Sequence, residues 1–200
     1  VETSHLFGKG PFEAFVELDV PFRLMILNRE PREVAKSHRR IKAVPGRSKK
    51  KQQYLLRPDL DGVLPLPGWE QMTDYQLCYW YCLEIERRKD LYAAECRRHG
   101  IPVIELSLSD ALDFDRLQDL CTELGLHLPD NARSEHAELT KTKVNRKGKY
   151  LPKLSLKPVA AQENELWAAL GDDGAKLYEQ VSARYGWETP NAGDHKFRYA

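Results

Sequence analysis

Several things that would settle a class outright are missing from this sequence. No run approaches the ~18 consecutive apolar residues of a membrane-spanning helix, so these residues hold no transmembrane segment of that kind. No basic stretch followed by an apolar one marks a secretory leader. The four cysteines form no Cys-x-x-Cys pair, which excludes the usual zinc and thioredoxin-type patterns. There is no Gly-x4-Gly-Lys-Ser/Thr loop, the backbone cradle of a kinase or NTPase. Excess charge is lacking too. A net +1 is too balanced for a chain that wraps a polyanion, so no nucleic-acid partner is expected.

What is present describes a globular chain. The 200 residues are 42% hydrophobic and 30% charged, enough apolar material for a real core. The charges are segregated. Lys36–Lys51 holds eight Lys/Arg and no acid, and Lys141–Lys157 holds seven more, again with no acid. Such segregation in a neutral protein fits a local anionic ligand, and it equally fits two solvated basic loops. Cys78, Cys82 and Cys96 fall in one expected helix and Cys121 in another, as buried free thiols would. Free thiols fit a reducing compartment, and the expected location is cytoplasmic.

The chain reads as alternating helices and strands. Gly10–Leu18 is a short helix. Phe22–Leu27 is an apolar run of strand length with so little alternation that both faces should be buried. Pro31 opens a helix to about Ile41. From Pro45-Gly46 to Pro67-Gly68 the chain is basic and Pro/Gly-rich, as a long surface loop or lid would be. Thr73, with Gln76 three residues on, forms a capping box for a helix to His99, and Gly100 stops it. Ile101–Leu108 is a second strand, and Asp110–Leu124 an amphipathic helix. A last helix runs from about Gln162 to Tyr185, broken around Gly171–Gly174. This order predicts an α/β fold, a mainly parallel sheet flanked by helices. Two strands do not make a stable sheet. Together with the opening on Val1, in mid-element, this leads to the expectation of an N-terminally incomplete chain with further strands upstream.

Leu27-Asn28-Arg29-Glu30-Pro31 through Ser37 is the most informative stretch. Arg29 stands at the carboxyl end of a strand, where open α/β sheets bind ligands. Pro31 places a helix start beside it, and free N–H groups there favour an anion. Arg29 offers a planar fork matched to phosphate, and Ser37 a hydroxyl about two turns along.

Here the chain resembles the sulfotransferases that use 3′-phosphoadenosine-5′-phosphosulfate (PAPS). Their 3′-phosphate motif is an apolar strand, Arg-x-Pro, then a helix with Ser eight residues after the Arg. Arg29, Pro31 and Ser37 match it, and Val34-Ala35 looks like the usual apolar pair before that Ser. Thr3-Ser4-His5 lies where cytosolic members carry Lys-Thr-His, with His5 24 residues before Arg29 and Thr3 in place of the lysine. Arg146-Lys147-Gly148 is similar to the late Arg-Lys-Gly that grips the 3′-phosphate again, although the acidic-Trp segment that usually follows is absent. The resemblance covers residues 1 to about 150.

The resemblance implies a P-loop nucleotide-hydrolase-like domain over 1–157, lacking the 5′-phosphosulfate loop, and a C-terminal helical extension over 158–200. It implies PAPS as sulfuryl donor, Arg29, Ser37, Arg146, Lys147 and Gly148 as donor-binding residues, and no metal. His5 is implied as general base, with Glu2 as the alternative; a histidine pKa near 6.5 suits proton removal from a hydroxyl. The acceptor would be a small-molecule or carbohydrate hydroxyl or amine. The competing reading is a non-catalytic interaction module on the same nucleotide fold.

Overall fold

The structure, a computed structural model, describes residues 7–49, 54–141 and 156–187. A 3₁₀ turn at Phe7–Lys9 leads into α1 (Pro11–Glu17). Then come β1 (Leu24–Asn28), α2 (Pro31–Arg40), a 3₁₀ turn at Trp69–Gln71 and α3 (Asp74–Arg98). β2 (Val103–Ser107), α4 (Leu108–Leu112), α5 (Phe114–Glu123), α6 (Ala132–Lys141) and α7 (Leu156–Tyr185) follow. The described chain is mostly helical around a parallel pair of strands, with Leu24 opposite Val103 and Asn28 opposite Ser107. Among the described residues the sheet goes no further than these two strands.

The axis of the molecule is α3. Its capping box forms as the sequence predicts, Thr73 accepting the Gln76 N–H and Gln76 accepting the Thr73 N–H. Gly100, at φ 67°, takes the left-handed position that ends such a helix. From Tyr75 to Leu83 every residue of α3 is buried, whichever way its side chain points. A helix covered all round needs neighbours on every side, and α2, α7, Val44 and the Val63–Leu66 stretch supply them. The second half of α3 packs differently. Ala93 and Cys96 join Phe12, Leu24 and Ile26 in a smaller core, with Tyr92 stacked on Phe12 at 4.0 Å between ring centroids.

Several expectations need correction. β1 is not buried on both faces: Leu24 and Ile26 are buried, but Met25 and Leu27 are 44% and 48% exposed. Helices pack on Leu24 and Ile26, while Met25 and Leu27 stay partly open to solvent. The described part of 45–68 is not all surface loop. Val63, Leu64 and Leu66 are buried in the main core, and the Leu64 backbone is satisfied there: its carbonyl accepts from Trp80 Nε1 and its N–H donates to Glu84. The expected helix Asp110–Leu124 is two helices. Asp113 turns its carboxylate onto the N–H groups of Asp115 and Arg116, caps α5 and so ends α4. The helix α6 was not anticipated at all. The C-terminal helix packs on the rest of the chain: Leu166, Trp167, Leu170, Leu177, Tyr178 and Val181 of α7 share the core of α3. The thiols are free, with Cys78, Cys82 and Cys96 buried and Cys121 half-buried.

Candidate anion site at the end of β1

β1 ends at Asn28, so Arg29 stands at the carboxyl edge of the parallel pair, and α2 begins two residues later at Pro31. Arg29 is exposed. Among the described residues no carboxylate comes within ion-pairing distance of its guanidinium. Its neighbour Arg32 differs: it donates to the buried Glu163 at 2.9 Å. The strand end therefore presents one structural arginine and one whose fork is not spent on a described acid.

Ser37 lies on the flank of α2, half-buried, about 9 Å along the helix from Pro31 at ~1.5 Å per residue. Its nearest neighbours on that flank are one turn away, Glu33 and Val34 on one side and Arg40 on the other. Arg39 and Arg40 have no ion pair among the described residues, so the last turn of α2 adds positive charge near Ser37.

The start of α2 does not offer its N–H groups to an outside anion. Glu30 is the N-cap, and its side chain accepts from the Glu33 N–H at 2.8 Å. Pro31 has no N–H, and that of Val34 goes to the Glu30 carbonyl. Two of the first-turn N–H groups, those of Glu33 and Val34, are thus already taken. Burial raises the Glu30 pKa, while the hydrogen bonds from Glu33 and Arg32 oppose that rise. A phosphate at this corner would rely on side chains, not on the helix start. An acid just before a proline at N1 was the sequence signal for this cap.

Two side-chain clusters back the corner. Glu86, on α3, is buried and binds Lys89 at 2.6 Å and Arg184 at 2.8 Å. Lys89 Nζ also reaches Asn28 Oδ1 at 3.4 Å. Glu163 accepts both Arg32 and the Tyr75 hydroxyl. Burial and the Glu163 charge push the Tyr75 phenol far above its ordinary range, so it stays a donor. Sequence reasoning missed these groups, because their long-range bonds join positions 61 to 131 residues apart. A groove of about 280 Å³ runs beside β1, past Met25, Leu27, Ile85 and Tyr92; Arg29 does not line it.

The first basic run is partly neutralised. Lys36 pairs with Glu33 at 2.6 Å, and Arg47 binds Asp74 at 2.6 Å and the carbonyls of Glu70 and Met72, fastening the entry to α3. His5, Glu2, Arg146, Lys147 and Gly148 lie outside the described residues. Among the described residues no cluster of His, Cys, Asp and Glu is arranged to hold a metal. No helix among them is long and apolar enough to cross a membrane.

Comparison of the chain with protein-family models, with curated proteins and with solved structures finds no match.

Proposed function

We propose that the chain is a sulfotransferase-like domain in which Arg29 and Ser37 hold the 3′-phosphate of PAPS. One observation carries the reading. Arg29, in the Arg-x-Pro-x5-Ser pattern, stands at the carboxyl end of a parallel strand and is unpaired with any described acid, while Arg32 beside it is committed to Glu163. An exposed guanidinium fork at that edge is suited to a bidentate grip on phosphate.

In this reading His5, or Glu2, takes the proton from an acceptor hydroxyl or amine. The freed oxygen or nitrogen forms a bond to sulfur as the bond from sulfur to the 5′-phosphate oxygen breaks. The electron pair leaves on 3′,5′-adenosine bisphosphate. Arg146, Lys147 and Gly148 close over the 3′-phosphate. Binding and alignment carry most of the work, because the transferred group needs little covalent help. The acceptor is a small molecule or carbohydrate, the sulfotransferase-like part spans 1–157 with α7 of the C-terminal extension packed into its core, and the chain works in the cytoplasm.

The test is calorimetric titration with 3′,5′-adenosine bisphosphate, with 5′-AMP as control. The bisphosphate should bind more tightly, and Arg29→Ala should weaken it by about 1.5–3 kcal/mol, the range for a charge-assisted hydrogen bond. Ser37→Ala should cost less, about 0.5–1.5 kcal/mol for a neutral donor. Equal affinity for the two nucleotides, or no effect of Arg29→Ala, would sink the reading and favour a non-catalytic module.

A further inference from the structure

Arg32 follows Arg29 by three residues, yet it is bound into the interior. Its Nε donates to Glu163 Oε2 at 2.9 Å, and Glu163 is wholly buried. The Arg32 guanidinium lies 3.7 Å from the centroid of the Trp187 ring. Arg184 binds Glu86 and Asp90, fastening the end of α7 to α3. The last turn of α7 is therefore tied to α3, and Trp187 after it is packed against Arg32.

This arrangement has a physical consequence for Arg29. A buried carboxylate left without its cation is strongly destabilising, so Glu163 holds Arg32 and keeps it from any external anion. The Trp187 face fixes the plane of the guanidinium. Arg32 is the second residue of α2, and Pro31 before it has its φ locked by the ring. Holding Arg32 thus fixes the backbone from which Arg29 extends. A ligand then meets an arginine whose backbone is already ordered, and binding does not bear that ordering cost.

We propose that Glu163 and Trp187 are positioning residues for the anion site, acting through Arg32 to hold the turn that presents Arg29. Neither touches the ligand. The inference rests on the reading of Arg29 as a phosphate ligand, and it makes α7 a working part of the site.

The test uses the whole chain and two readouts: amide hydrogen exchange at residues 29–33, and calorimetric affinity for 3′,5′-adenosine bisphosphate. Trp187→Leu should speed exchange at Arg32 and Glu33 and weaken binding about fivefold, the size of one cation–π contact. Trp187→Phe keeps an aromatic face and should restore both. Glu163→Gln should act in the same direction as Trp187→Leu; if it fails to fold, the Trp187 pair carries the test. Arg29→Ala should abolish the nucleotide preference and leave exchange at Arg32 and Glu33 unchanged. Unchanged exchange and affinity in Trp187→Leu would overturn the positioning role. A wild-type chain that binds no nucleotide, with exchange still dependent on Trp187, would instead overturn the phosphate reading and with it the role of both residues toward a ligand.

Discussion

Glu84 is fully buried one turn before Arg88, and its Oε1 accepts the Arg88 Nε at 2.6 Å. Arg87 binds the same carboxylate through Nε at 2.7 Å, and the Leu64 N–H donates to it at 3.0 Å. One side chain of α3 thereby satisfies two cations and the backbone of the stretch that closes the core. Glu84→Ala should lose about 3–5 kcal/mol, the cost of breaking a buried pair from one side. Glu84→Gln should lose less, since it keeps an acceptor for Leu64 and since Arg87 and Arg88 retain some solvent access. Urea unfolding followed by circular dichroism measures both, and a loss below ~1 kcal/mol in Glu84→Ala, no more than an average point mutation costs, would contradict the role.

α7 turns at Gly171, where φ is 57° and ψ −139°. That combination is open almost only to glycine, so Gly171→Ala should destabilise by about 1–3 kcal/mol. In a regular helix interior the same change would stabilise by about 1 kcal/mol, because alanine is the better helix former. The sign of the shift in thermal midpoint separates the two cases.

Thiol chemistry should be selective. Cys121 is half-buried, whereas Cys78, Cys82 and Cys96 are buried. At neutral pH a disulfide reagent should label Cys121 quickly and the other three only after denaturation. Burial, then the Asp74 carboxylate, pushes the Cys78 thiol up from an ordinary 9.0 to about 12. Its native pKa lies above its unfolded one. Its contribution to stability is therefore complete below pH 9.0 and is lost as pH rises from there to about 12. Cys82 and Cys96 shift in the same direction, chiefly through burial. Stability measured from pH 8 to 11 should fall, and Cys78→Ala should make that fall shallower. An identical slope would show that Cys78 does not contribute.

Local chemistry was legible in the sequence. The capping box at Thr73 and Gln76, the Gly100 stop and the Pro31 start depend on neighbours a few residues away, and each forms where the sequence places it. So do the two strands and their parallel direction, because Leu24–Asn28 and Val103–Ser107 are apolar runs separated by helices. The juxtaposition of Arg29 with the start of α2 is local too. The sequence left Asp113 unread as a helix breaker, because a carboxylate that caps in one place is an ordinary surface acid in another.

Tertiary structure decided which arginine is committed and which is not. Arg29 and Arg32 are alike in sequence, three residues apart in one short turn. Only the return of α7 brings Glu163 and Trp187 to Arg32, across 131 and 155 residues of chain. The sequence determined the local pattern by itself, because capping, turn and strand signals act within a few residues. The pairing of a buried charge with its counterion acts through space, and its partners are fixed only when the core has closed around α3.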